Sequence, residues 1–236
     1  KEAVHPGDGL FMFLHLPAPH YPWRTYPDGP QWGEGPVDRY DASVARADWA
    51  TGRLLDGLRA RGLYEDSVVV ITSDHGTGLG EHGRLGGFHP YEEQLRVPLL
   101  IRVPGVAPRR VAEPVSGIDL APTLVSMVRG GSPSAYHGHS LTPLMTGRLA
   151  QLPRRHLFAH SAFEDALAVW DILTGDKLIL HRAAQYAWLF NLKDDPAERH
   201  PLPRSARYEE LLRLTLGYLK LGDKTWGNPY HYSPPP

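Results

Sequence analysis

Apolar and polar positions alternate along the chain with two different periods. Leu10-Phe11-Met12-Phe13-Leu14 is an unbroken apolar run of strand length, the pattern of a parallel strand buried on both faces at the centre of a sheet. It ends in His15 to Trp23, where Pro17, Pro19 and Pro22 forbid regular structure, so His15 and His20 are expected on a loop beyond the strand's carboxyl end. Between Tyr40 and Arg61, Val44, Ala47, Leu54, Leu55 and Leu58 recur at helical spacing, with Asp38 and Asp41 near the start and Gly62 just past the end. Ser67 to Thr72 and Val97 to Val103 are strand-like runs and read as core strands. The segment between them, Ser73 to Gln94, carries glycines at 76, 78, 80, 83, 86 and 87 and is expected to be a long loop. Val115 to Ile118 suits a short strand, and Asp119 suits the cap of a helix from Leu120 to about Val128, with Pro122 in its first turn.

Beyond a turn-rich passage from Gly130 to about Arg155 the pattern shortens. Leu157 to His160, Leu167 to Leu173, Lys177 to Leu180 and Tyr186 to Phe190 read as strands whose short connections, such as Thr174-Gly175-Asp176, make antiparallel hairpins. Tyr208 to Leu219 reads as a closing helix, and Pro234 to Pro236 as a tail. The fold class that follows is α/β, a mostly parallel sheet flanked by helices over residues 1–150, then a small antiparallel sheet plus helix over 151–236.

Composition narrows the function. Lysine plus arginine (25) balances aspartate plus glutamate (26), leaving no field that draws the chain onto nucleic acid or an anionic membrane. With no cysteine, disulfides and thiolate chemistry are excluded within these residues. The longest apolar runs fall far short of the roughly 20 residues that span a bilayer. The first residues, Lys1 to Gly7, show neither a hydrophobic signal region nor a starting methionine, so further sequence is expected upstream. Thirteen histidines make metal ligation and proton transfer the chemistry to look for.

Thr72-Ser73-Asp74-His75-Gly76 directly follows a strand, the position at which open α/β sheets bind ligands, and adjacent carboxylate and imidazole groups there can hold a divalent cation. In isolation the same triplet also describes a turn capped by Asp74 with an exposed His75. Likewise His20 alone is more readily a surface-loop histidine.

Several blocks in a fixed order give the triplet a context. A tyrosine-led helix with Asp48 is followed by Gly52-Arg53-Leu54-Leu55, Gly62-Leu63-Tyr64, Ser73-Asp74-His75-Gly76, Leu79-Gly80-Glu81-His82-Gly83, Tyr91 to Leu99 and Val103-Pro104-Gly105. Ile118 to Leu124, Gly138 to Leu144 and Leu189 to Pro196 come later. In these blocks the chain resembles the carboxyl-terminal portion of the sulfatase family, in the alkaline phosphatase superfamily. The resemblance implies that Asp74 and His75 are the second pair of metal ligands, with calcium as the expected ion and magnesium, manganese or zinc as alternatives. It implies that His20, in Pro19-His20-Tyr21-Pro22, contacts the transferred group, and that His89, two residues before Tyr91, faces the substrate oxygens, with His82 as the fallback. Glu92, Glu93 and Arg96 are expected to be ion pairs and turn supports. His137, His139, His156, His160 and His181 have no convergent spacing and read as surface or satisfied histidines.

Two family features are missing from these residues. The family nucleophile, a cysteine or serine converted to formylglycine, lies in Cys/Ser-x-Pro-x-Arg, and the Pro-x-Arg triplets here are preceded at that position by His20, Val106 and Gln151. No aspartate stands four residues before a histidine, as the two-zinc branch requires, which favours a single-metal site. The expected function is therefore sulfuric ester hydrolysis by the intact protein on a small-molecule or saccharide sulfate ester, with this chain alone inactive. The alternatives are a phosphonate or phosphate ester hydrolase, a phosphoethanolamine or phosphoglycerol transferase, and a degenerate binding module. A periplasmic or secreted location is what the resemblance implies.

Overall fold

The computed structural model describes residues 9–131, 136–161 and 163–226; the expected proline tail and residues 1–8 lie outside these. The chain divides into two compact units, one comprising Lys1–Thr72, Arg84–Gly86 and Leu99–Gly105, the other Ser73–Gly83, Gly87–Pro98 and Val106–Pro236.

The first unit is organised by helix α1, Pro36–Ala60, four residues longer at its start than the apolar spacing predicts. Pro36 suits the first helical position, where its missing N–H is not needed, and the Asp38 carboxylate accepts the Gly35 N–H at 3.1 Å. Gly62, with φ +67°, closes the helix in the left-handed conformation that a side chain disfavours. Strands β1 (Val69–Thr72) and β4 (Leu99–Arg102) pair antiparallel, with Val69 opposite Arg102 and Thr72 opposite Leu99. The Arg102 guanidinium ties the pair to the α1–β1 turn, donating to the carbonyls of Tyr64 (2.9 Å) and Ser67 (2.7 Å).

Burial in this unit is thinner than the pattern predicts. Ile71 and Leu100 are exposed rather than in a core. Leu10 to Leu14 forms no strand, and Phe11 and Phe13 are about four-fifths exposed (79% and 82%), against the expected buried central strand. An apolar run states a capacity for burial, but burial requires flanking strands and helices, and none covers these residues among those described.

The second unit contains the glycine-rich segment, in which the two-residue strands β2 (Gly78–Leu79) and β3 (Leu85–Gly86, of the first unit) and the one-turn helix α2 (Glu92–Leu95) interrupt the loop. The expected strand at 115–118 is instead a tight turn, Gly117–Asp119, leading into α3 (Leu120–Arg129). The Asp119 side chain folds back onto the Ser116 N–H (2.8 Å), which bends the backbone out of extended form, and accepts the His139 N–H (2.8 Å) and both ends of the Arg154 guanidinium (2.9 and 2.6 Å). Helix α4 spans Thr142–Met145.

The four-stranded antiparallel sheet expected near the carboxyl end is present, in the order β5 (His156–Ser161), β6 (Ala166–Asp171), β7 (Asp176–His181), β8 (Tyr186–Asn191). Side chains alternate across it. One face sends Val169, Leu178 and Leu189 against Tyr208 and Leu211 of α5 (Ala206–Trp226). The other presents Ala168, Ile179 and Phe190 to Tyr91. The sheet is thus fully employed: one side holds the closing helix, the other holds the segment that carries the candidate histidines.

Candidate active site

Asp74 and His75 follow β1 directly in the chain. The Asp74 carboxylate accepts the His75 N–H (3.0 Å) and the Ser73 hydroxyl (3.3 Å) through Oδ1, which fixes it while leaving Oδ2 open; its side chain is 77% exposed. Burial works against ionisation of Asp74, but neighbouring His75, the backbone amides and Ser73 outweigh it and hold the carboxyl below its ordinary value. His75 directs Nδ1 to the Gly76 carbonyl (2.6 Å), which selects the tautomer and turns Nε2 outward, 3.9 Å from Asp74 Oδ2. Two metal–ligand bonds of about 2.1–2.4 Å easily close a gap of that size on one cation. Asp74 Oδ2 and His75 Nε2 are thus compatible with a shared divalent ion, and among the described residues no group of three or more potential ligands converges.

This loop is pinned by Gly76. Its N–H donates to the Gln94 carbonyl (2.7 Å), and a Cβ at this position would lie 2.1 Å from the Glu93 carbonyl oxygen. Only glycine permits so close an approach to α2.

His89 and His82 meet around Tyr91. His89 is buried, its Nδ1 3.7 Å from Glu93 Oε1. His82 stacks on Tyr91 (3.8 Å, 8°), with Nδ1 2.7 Å from Glu93 Oε1 and Nε2 3.1 Å from the Glu198 carbonyl. Glu92 and Glu93 act as the supports expected of them. Their partners were not visible in the sequence: Lys177, on β7, lies 2.8 Å from Glu92 and 2.8 Å from Glu198, and Glu198 also accepts the Glu92 N–H (2.6 Å). Burial pushes the Glu198 carboxyl up, and Lys177 only partly offsets this. The available signal was a lysine at an inward-facing position of a strand, between Asp176 and Leu178.

His20 belongs to the first unit and is exposed. Its N–H donates to the Pro17 carbonyl (2.9 Å), and its ring Nδ1 contacts the Tyr21 carbonyl. The loop is anchored through buried Trp23, which meets Tyr21 and Tyr40 edge-on, and through the Arg24 N–H to Ser43 Oγ (3.2 Å). The structure thus brings Asp74 to His75 and His82 to His89, and holds His20 on its own braced loop.

A family model described as sulfatase matches residues 3–130, and one described as the carboxyl-terminal part of N-sulphoglucosamine sulphohydrolase matches 80–219. The chain belongs to the sulfatase family. This sulfatase chain is 29% identical to human arylsulfatase D over 86% of its length and 42% of the relative's, and 31% identical to the N-acetylglucosamine-6-O-sulfatase of Bacteroides thetaiotaomicron over 74% and 34%. A structure of a protein bound to its substrate D-glucosamine-2-N,6-O-disulfate superposes with a TM-score of 0.62 at 26% identity, covering 82% of this chain and 42% of that one. The phosphonate monoester hydrolase of Silicibacter pomeroyi superposes at 0.59 and 26% identity, covering 80% and 41%. The chain therefore spans about a third to two-fifths of the length of these relatives, and its α/β architecture is that of the family. Family membership implies a divalent metal. Among the described residues no helix is long and apolar enough to cross a membrane.

Proposed function

We propose that the intact protein is a sulfuric ester hydrolase in which this chain supplies half of a single-metal site, and the remainder supplies the formylglycine nucleophile and the other ligands. The observation that carries this reading is the Asp74–His75 pair, Oδ2 and Nε2 3.9 Å apart on a loop pinned by Gly76, within a chain of this family. Asp74 and His75 would hold the ion, for which calcium is our first choice over magnesium, manganese and zinc. Bound there, the ion supplies positive charge toward the sulfate oxygens.

The chain's own residues then do three things. Asp74 and His75 fix the ion's place, and the Asp74 carboxyl is held below its ordinary value by its neighbours. His20, on an exposed braced loop, protonates the departing alkoxide. His89, enclosed beside His82 and Glu93, acts as a second charge partner from a low-dielectric setting that strengthens its effect. We assign residues 1–150 to the carboxyl-terminal half of the catalytic α/β domain and 151–236 to a small subdomain. A small-molecule or saccharide sulfate ester is the proposed substrate, and a periplasmic or secreted setting suits it.

The likeness to phosphonate monoester hydrolases supports one rival reading, because the same metal pair serves phosphoryl transfer. Comparing an aryl sulfate with an aryl phosphonate monoester on the full-length protein separates them. Sulfatase action predicts a kcat/KM advantage for the sulfate of about tenfold or more, equivalent to roughly 1.4 kcal/mol in transition-state binding; the reverse preference replaces this reading with the rival.

A further inference from the structure

Lys177 projects from the face of β7 that also carries Ile179, with Trp170 and Phe190 opposite it in the ladder, and it is 1% exposed. An ammonium group so enclosed persists only if fully paired. Its partners, Glu92 and Glu198, do more than neutralise it. Glu198 is held at φ +53°, a conformation that disfavours any side chain, and is itself buried. One of its carboxylate oxygens meets Lys177, the other accepts the first N–H of α2, and its main-chain carbonyl meets His82 Nε2. His82, also at positive φ (+51°), is thereby clamped between Glu198 and Glu93 while stacked on Tyr91. Since α2 carries Gln94, whose carbonyl receives the Gly76 N–H, the same clamp reaches the Asp74–His75 loop.

We infer that Lys177 and Glu198 are positioning residues: the small sheet locks α2 through this ion pair, and α2 in turn sets the orientation of His82 and His89 against the Asp74–His75 loop. The inference rests on the site reading given under Proposed function. A pair serving stability alone would be replaceable by uncharged groups of similar shape without effect on catalysis. A positioning pair would not.

The test uses the intact protein with Lys177→Met and Glu198→Gln combined, which removes both charges and leaves neither stranded. With folding verified by thermal unfolding, positioning predicts that kcat for a sulfate ester falls about 10- to 100-fold while KM changes less than about threefold. An unchanged kcat overturns the inference. Should the double variant fail to fold, Glu92→Gln, at a partly exposed carboxylate, is measured by the same criteria. If the wild-type protein cleaves no sulfate ester, the sulfatase reading fails on its own. Hydrogen exchange of the amides of 91–95 in the variant then decides the positioning claim, faster exchange by about tenfold supporting it and unchanged exchange refuting it.

Discussion

The Gly76 N–H donates to the Gln94 carbonyl across 2.7 Å, joining the loop that carries the candidate metal ligands to the helix that carries Glu92 and Glu93. A methyl group at position 76 has nowhere to go, because the atom it meets at 2.1 Å is a main-chain oxygen. Gly76→Ala is therefore expected to destabilise the protein by about 1–3 kcal/mol, as overpacking typically does, and to lower metal occupancy. Urea unfolding and metal analysis on the same sample check both; a variant of wild-type stability and metal content would show that the contact relaxes freely.

Asp119 concentrates four donors on one fully buried carboxylate: two backbone amides and the forked Arg154. Asp119→Ala strands the guanidinium in the interior, and a loss of about 3–5 kcal/mol is expected. That is a large share of the stability of an ordinary domain, so a midpoint shift of only a fraction of this in urea would mean that Arg154 finds water.

Asp171 sets the acid behaviour of the small sheet. Burial opposes its charge, but Arg155, Arg207 and the amides of Leu173 and Thr174 hold the carboxyl far below its ordinary value. A depressed folded-state pKa contributes stability that is complete above the unfolded value, near 3.9, and is lost as pH falls toward the folded one. Acid unfolding should therefore steepen below about pH 4, and Asp171→Asn should remove up to about 1.4 kcal/mol per pH unit of that slope. Stability curves between pH 2 and 6 for both proteins provide the check; identical slopes would assign the acid sensitivity elsewhere.

Local periodicity made α1, α3, the four hairpin strands and α5 legible in the sequence, because each carries its own apolar stripe or alternation. The Asp-His-Gly triplet was legible as a site because its position after a strand and its flanking blocks agree. Leu10 to Leu14 departs from its pattern for the same reason that the other elements follow theirs: the run encodes a buried face, and what buries it is not in the run. Helices α2 and α4 are a single turn each, too short to show a period. The Lys177–Glu198 clamp escaped notice because its members lie some 85 to 106 residues from the α2 groups they meet, and nothing in linear spacing joins them. Asp119 was legible as a helix cap, but its capture of Ser116, which converts an expected strand into a turn, is a matter of side-chain direction.

The most direct measurement is the divalent metal content of the full-length protein, taken with its sulfate ester kcat/KM, before and after Asp74→Ala. Close to one ion per chain is expected in the wild type, and in the variant loss of that ion together with a fall in kcat/KM of about a hundredfold or more. A variant that keeps its ion and its rate, or a wild-type protein that cleaves sulfate esters with no ion bound, would contradict it.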